Sequence, residues 1–169
     1  PAMGYLASKA TAPWWSPLTQ LLYTSLTSMR PTSNVIHKSF ANTVTPFRTS
    51  SYGDVAGFLA VDKTNKLLVV SFRGSRTLSN WIANINFGFT DASSICSGCE
   101  AHGGFLEAWE AVAADLTSKI KAAKATYSGY TLVVTGHSYG GALATLGGIV
   151  LRNGGYEPSV VSTMFGNLP

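Results

Sequence analysis

Charged side chains are scarce in this sequence. They make up 12% of the 169 residues, whereas hydrophobic residues make up 46%, so we expect a single domain, residues 1–169, with a substantial core. The formal net charge is +4, but the lysines and arginines are scattered and do not alternate with aromatic residues. This pattern argues against a nucleic-acid partner.

Long hydrophobic runs are also missing. The longest candidates, residues 67–72 and 143–151, are short and contain Ser, Thr or Gly, so we expect no transmembrane segment. The sequence begins at Pro1 without a charged segment that leads into an apolar one. A targeting peptide is therefore expected to be either absent or already removed.

Cysteine is nearly absent, and the two that occur, Cys96 and Cys99, form a C-x-x-C pair. Such a pair can be half of a zinc site, a thioredoxin-like redox motif or a local disulfide. A second pair of metal ligands is missing, and the two cysteines do not open a helix after a strand. Both facts favour the disulfide, which would imply that the protein is secreted into an oxidising environment. We expect neither a metal nor a cofactor.

The most informative stretch is residues 131–144, where a β-branched apolar run meets Gly136-His137-Ser138-Tyr139-Gly140 and continues into small, helix-forming residues. A G-x-S-x-G pattern between a strand and a helix is typical of a nucleophile elbow, a sharp turn that exposes the serine hydroxyl. Glycines flank the serine because side chains there would collide. The first N–H groups of a helix have no intrahelical partner, so the N–H of Tyr139 can bind the oxyanion that forms when Ser138 attacks a carbonyl carbon. The pattern predicts that Ser138 is a nucleophile.

Two β-rich segments, residues 55–61 and 66–72, flank the turn residues 62–65 and predict a hairpin that joins the sheet. The second segment runs into Gly74 and Ser75. A glycine there allows close backbone approach, and Ser75 can offer both an N–H and a hydroxyl, as the second half of an oxyanion hole requires. An ordinary glycine turn is the alternative.

Residues 77–87 form a short amphipathic stretch after that loop, with Leu78, Trp81, Ile82 and Ile85 on one helical face. A mobile lid that covers a site in water and exposes it at an oil surface would have this pattern. A helix packed permanently on the core would have it too.

Three further elements are predicted by apolar spacing. Residues 105–126 have apolar side chains every three or four positions and predict a long helix. The segment from Ser138 to Leu151 is apolar nearly all round, which predicts a buried helix, and residues 159–165 predict another core strand. Leu18 to Met29 is a weaker helix candidate between prolines.

Several segments occur in one order between about residues 53 and 161, namely Val55 to Asp62, Ser71-Phe72-Arg73-Gly74-Ser75, Asn80-Trp81, Ile95 to Cys99, His102 to Phe105 and Thr135 to Thr145. Together they resemble the fungal class 3 lipases of the Thermomyces and Rhizomucor type. The resemblance implies an α/β-hydrolase fold with a central, mostly parallel sheet flanked by helices. It also implies secretion and hydrolysis of acylglycerol esters at a lipid–water interface.

The same resemblance implies roles for single residues. Ser138 matches the nucleophile and Ser75 the oxyanion-hole residue. Tyr139, where the family usually has Leu, matches the residue whose backbone N–H completes the hole, and His137 matches a structural position beside the nucleophile. The remaining matches are the lid tryptophan, Trp81, and a family disulfide, Cys96 with Cys99.

The Asp and His of the family's catalytic triad are not found. In this fold they follow the nucleophile, but after Ser138 the sequence has no His and no Asp, and Glu157 lies in a turn before the last predicted strand. A triad of His102, Asp115 and Ser138 is disfavoured, because Asp115 can pair with Lys119 on one helix face. We expect the C-terminal part of the fold, with Asp and His, to be absent from this chain or supplied by a separate piece.

Three interpretations of function stay open. The leading one is a secreted serine ester hydrolase that cleaves triglyceride ester bonds at a lipid–water interface through an acyl-enzyme on Ser138. The second is a catalytically inactive, lipase-like fragment that binds lipid, since the triad is incomplete. The third keeps the fold and changes the substrate to phospholipid, as in a phospholipase A1, or to feruloyl esters.

Overall fold

The computed structural model describes residues 41–49, 55–74 and 88–163. Within these ranges the elements are, in chain order, β1 (Ala41–Arg48), β2 (Ala56–Asp62), β3 (Leu67–Phe72), β4 (Phe89–Asp91), β5 (Glu100–His102), α1 (Gly103–Thr126), β6 (Thr131–His137), α2 (Tyr139–Asn153) and β7 (Ser159–Thr163). The helix considered for Leu18 to Met29 lies outside the described residues.

Five of the described strands form one sheet in the order β1-β2-β3-β6-β7. The strands β1, β2 and β3 pair antiparallel, whereas β3 with β6 and β6 with β7 pair parallel. The described sheet is therefore mixed, and its parallel half carries the predicted nucleophile. The remaining two strands, β4 and β5, form a separate antiparallel ribbon.

The predicted hairpin of β2 and β3 is confirmed, and the Asp62 carboxylate holds its turn. One carboxylate oxygen accepts hydrogen bonds from the backbone N–H groups of Thr64, at 3.0 Å, and Asn65, at 3.1 Å. The Asn65 side chain donates to the other oxygen at 2.6 Å. The backbone oxygen of Lys66 then accepts from the N–H of Thr131 at 2.9 Å, which fixes the start of β6 beside β3.

Both described helices pack on the same face of the sheet. Alternate side chains of β3, ending with Phe72, enter this core together with side chains of β6 and of both helices. The ring of Trp109 on α1 lies against α2 so closely that a Cβ built on Gly147 would come within 2.6 Å of it. Gly147 therefore allows the two helices to pack closely.

The two predicted helices are confirmed with small changes at their ends. The first begins at Gly103, earlier than predicted, ends at Thr126 as predicted, and buries Trp109, Leu116 and Ile120. The second runs from Tyr139 to Asn153. Of the helices in the described part of the chain, none combines the length with the apolar surface that crossing a bilayer requires.

Strand β1 was not predicted. It contains Pro46, which has no N–H to donate and is avoided in central strands. In the described sheet, β1 lies at an edge and pairs only with β2, where a proline is tolerated.

Candidate active site

Ser138 stands at the junction of β6 and α2 in a backbone conformation that serine rarely adopts. Its φ is 56° and its ψ is −124°, the values of the first central residue of a type II′ turn, a position that favours glycine. Its carbonyl oxygen accepts from the N–H groups of Gly141, at 2.8 Å, and Ala142, at 3.2 Å, which begins the helix. The predicted strand-turn-helix context is present, with a partly exposed Ser138 at the apex.

The flanking glycines are required by close backbone contacts. A Cβ on Gly136 would overlap the carbonyl group of Gly140 and lie 2.8 Å from the nitrogen of Gly141. A Cβ on Gly140 would lie 2.9 Å from the backbone oxygen of Arg73 at the end of β3. The turn thus folds back on itself and presses against the neighbouring strand, which is the steric reason expected for a G-x-S-x-G sequence.

The loop after β3 lies against this turn. A Cβ on Gly74 would approach the backbone oxygen of His137 to 3.0 Å and the Cβ of Ser138 to 3.9 Å. The residue that follows is Ser75, the predicted oxyanion donor, which lies outside the described residues. The predicted lid residues Leu78, Trp81, Ile82 and Ile85 lie outside them as well.

Tyr139, the first residue of α2, contributes differently through its backbone and its side chain. Its amide belongs to the helix N-terminus, where N–H groups point away from the helix and favour negative charge. Its ring is buried, with 5% of its surface exposed, and packs against Phe105 at a centroid distance of 5.9 Å. Phe105 in turn contacts the ring of His102 at 4.7 Å. This aromatic row, His102-Phe105-Tyr139, joins the elbow to the start of α1.

The row was not predicted from the sequence. Phe105 was assigned to the core face of α1 by its spacing, and nothing local indicates that it meets Tyr139. The short His-Gly-Gly-Phe segment was the available signal, because Gly104 lies beside the His102 ring, where a Cβ would come within 3.4 Å of it.

The structure does not join His102 and Asp115 into a catalytic relay. Both ring nitrogens of His102 are buried without a hydrogen-bond partner, so no carboxylate orients this ring. Asp115 is exposed and forms an ion pair with Lys119 one turn further along α1. The expectation that Asp115 pairs with Lys119 is confirmed.

His137, beside Ser138, lies partly buried against the Gly74 loop. Burial lowers its pKa below the ordinary value of about 6.5, because the charged imidazolium is the form that loses most from leaving water. The folded protein therefore holds a neutral His137 at neutral pH.

This lowered pKa predicts a pH-dependent stability. Below about pH 6.5 the unfolded chain takes up a proton at His137 that the folded chain still resists, so the free energy of unfolding should decrease as the pH falls. Urea unfolding between pH 7.5 and 5 measures this, with His137→Asn as the control. The variant should lose stability less steeply over this range, and identical pH slopes would contradict the prediction.

The disulfide between Cys96 and Cys99 is present, with the two Cα atoms 5.4 Å apart. It closes the loop between β4 and β5, where the N–H of Ala92 donates to the Cys99 oxygen at 2.8 Å. The Asn153 side chain at the end of α2 donates to the backbone oxygen of Ile95 in the same loop. The loop is thereby tied to the helix that follows Ser138.

Comparison with known proteins agrees with this geometry. The family model described as "Lipase (class 3)" matches residues 69–166. A secreted mono- and diacylglycerol lipase of Fusarium solani is 45% identical over 102 residues, which are 60% of this chain and 30% of that protein.

Solved structures give the same result. The mono- and diacylglycerol lipase of Aspergillus oryzae matches with a TM-score of 0.62 and 41% identity, covering 67% of this chain and 42% of that one. The Rhizomucor miehei triacylglyceride lipase matches with a TM-score of 0.65 and 29% identity, over 70% of this chain and 46% of that one. This chain thus spans less than half the length of each relative. Its α/β-hydrolase fold is confirmed, and the chain belongs to the class 3 lipase family.

Proposed function

We propose that this chain carries the nucleophile of a secreted serine ester hydrolase that cleaves acylglycerols at a lipid–water interface. The observation that carries the proposal is the strained Ser138 between β6 and α2, with φ 56° and ψ −124°. A structure keeps a non-glycine residue in such a conformation only where its surroundings enforce it, and such residues cluster at active sites. We also propose that residues 1–169 belong to one α/β-hydrolase domain.

In the proposed reaction, the Ser138 Oγ attacks the ester carbonyl carbon while a base removes its proton. The tetrahedral oxyanion is held by the backbone N–H of Tyr139 and by Ser75. The position of Gly74 supports this arrangement, because a Cβ built there would lie 3.0 Å from the His137 oxygen and 3.9 Å from the Ser138 Cβ, so the residue before Ser75 is near the elbow. The ester C–O bond then breaks, the alcohol leaves with the proton, and water later hydrolyses the acyl-enzyme.

The general base and its acid partner are proposed to come from outside these 169 residues. No His or Asp follows Ser138 in the sequence, and His102 has no carboxylate to orient it. General acid–base help is worth about 10² to 10⁴ in rate, so the 169 residues alone should turn over very slowly.

The names of the relatives add to the proposed substrates. Proteins of 41–45% identity are named mono- and diacylglycerol lipases, whereas the named triacylglyceride lipase is 29% identical. We therefore propose that partial acylglycerols are substrates besides the triglycerides inferred from the sequence. Secretion is supported by the disulfide and by the word "secreted" in the name of the Fusarium relative.

A second candidate is a catalytically inactive lipid-binding module. It applies to these 169 residues taken by themselves, because a serine without a base is a poor nucleophile. It predicts lipid binding without hydrolysis.

Reaction with diethyl p-nitrophenyl phosphate, carried out on these residues together with the part of the protein proposed to supply the base, tests the nucleophile. We expect an adduct mass on Ser138, with release of p-nitrophenolate, and no adduct in Ser138→Ala. An adduct on other serines only, or none after long incubation, would reject the hydrolase proposal and leave the binding module. Hydrolysis of monoacyl-, diacyl- and triacylglycerol emulsions, phospholipid and methyl ferulate then identifies the substrate.

A further inference from the structure

Phe89 is unusually exposed for an aromatic residue. Among the described residues the exposed large hydrophobic side chains are Phe89, with 73% of its surface exposed, and Ile149, with 38%. Removal of such a side chain from water is favourable in proportion to its area. An exposed Phe is therefore ready to bind an apolar surface.

The ribbon of β4 and β5 holds Phe89 in place. Phe89 is paired with His102 across the ribbon, and the N–H of Gly103 donates to the backbone oxygen of Gly88 at 3.2 Å. The disulfide of Cys96 and Cys99 closes the loop at the other end of the ribbon. Phe89 is thus displayed from a backbone that is fixed at both ends.

Phe89 is joined to the elbow through its ribbon. Its partner His102 begins the aromatic row, which passes through Phe105 at 4.7 Å to Tyr139 at 5.9 Å. Tyr139 follows the nucleophile directly. A surface that binds Phe89 would therefore be held by an element that packs, through this row, on the start of α2.

The charges beside Phe89 favour an uncharged surface. Asp91 and Glu100 are paired directly across the ribbon, and both are exposed. Residues two apart on a strand share a face, so these two carboxylates flank the Phe89–His102 pair. Carboxylates at this position repel the phosphate groups of anionic lipids and leave uncharged acylglycerols unaffected.

We propose that Phe89 is an interfacial anchor that inserts into uncharged acylglycerol surfaces and holds the elbow against them. This inference rests on the proposed function for its choice of lipid. The anchor is separate from the predicted lid residues and needs no movement of the ribbon.

Binding of the full chain to a diolein emulsion tests the anchor. Phe89→Ser should lower the partition coefficient about tenfold or more, which is the effect expected for loss of a buried Phe side chain. Ile149→Ser is the matched control, because Ile149 lies well along α2 from the Ser138 end, and it should change partitioning less than about twofold. Equal binding by Phe89→Ser and the unaltered chain, or equal losses in both variants, would overturn the proposal.

A second variant tests the anchor even if Phe89→Ser fails to fold. Phe89→Trp should retain binding and should be quenched by brominated acyl chains more strongly than the unaltered chain. No added quenching would place residue 89 outside the lipid and overturn the anchor. Binding of each variant is also measured in the Ser138→Ala background, so that hydrolysis of the lipid does not change the partition coefficient. Failure of the organophosphate reaction would reject the hydrolase proposal but would leave the anchor proposal standing.

The preference for uncharged lipid is tested with Glu100→Gln. Glu100 is chosen over Asp91 because Asp91 also accepts hydrogen bonds from Ser93, so its replacement would disturb the turn. The variant should bind vesicles containing phosphatidylglycerol more tightly than the unaltered chain and the diolein emulsion equally well. Unchanged binding to the anionic vesicles would overturn the preference for uncharged lipid.

Discussion

Replacing Ser138 with glycine is expected to abolish the organophosphate adduct and to raise the free energy of unfolding by about 1 kcal/mol. The φ of 56° and ψ of −124° at Ser138 are unfavourable for a residue with a Cβ and cost about 1 to 3 kcal/mol. Glycine removes that strain but adds freedom to the unfolded chain worth about 0.5 to 1 kcal/mol. The first effect is larger, so the chain should become more stable as it loses its nucleophile.

Ser138→Ala separates the two roles of this residue. Alanine also lacks the hydroxyl and should form no adduct, but it keeps the Cβ and hence the strain, so its stability should stay within about 0.5 kcal/mol of the unaltered chain. Urea unfolding of the three proteins measures the differences. A glycine variant no more stable than the alanine variant would show that the turn is not strained in solution.

Gly136→Ala should destabilise the protein by about 3 kcal/mol or more. The added Cβ would overlap the carbonyl group of Gly140, and that carbonyl belongs to backbone that cannot rotate away as a side chain could. Relief would require the start of α2 to move away from the end of β6. For a domain of this size the loss corresponds to a melting temperature lower by about 6 to 12 °C.

Gly129→Ala is the matched control for that change. A Cβ on Gly129, in the turn before β6, would have no atom within 4 Å. Its stability should be unchanged or up to about 1 kcal/mol higher, because alanine restricts the unfolded chain. Equal effects of the two substitutions in thermal unfolding would mean that the elbow is less tightly packed than the structure shows.

The parts of the fold that were predicted from the sequence are those with local signals. A β-branched run followed by G-x-S-x-G and small residues defines β6, the turn and α2, because each step is decided by neighbours in sequence. The hairpin of β2 and β3 is similarly decided by Asp62 and its turn. Strand β1 was missed because Pro46 argues against a strand, and only its place at the sheet edge makes the proline acceptable.

The candidate site likewise has parts that one sequence segment determines and parts that depend on contacts between distant segments. The turn at Ser138 and the helix N-terminus that follows it depend on one segment, and both were predicted from it. The contact of Gly74 with Ser138 and the packing of Phe105 on Tyr139 join segments far apart in the chain, and they exist only because β3 and β6 are neighbours and α1 packs on α2. For Gly74 and Ser75 the sequence left two interpretations open, an oxyanion-hole loop and an ordinary glycine turn. The aromatic row was not predicted.

The parallel pairing of β3 with β6 also bears on how the molecule assembles. These strands are neighbours in the sheet although residues 73–130 separate them in sequence. The chain loses the conformational entropy of closing this long segment before any hydrogen bonds between the two strands form. Contacts of this kind are therefore slow to form. Helices can form earlier on their own, but the bend at Ser138 takes its shape only when β6 is seated. Chemical reactivity of this serine should therefore appear late during refolding, after most helical structure has returned.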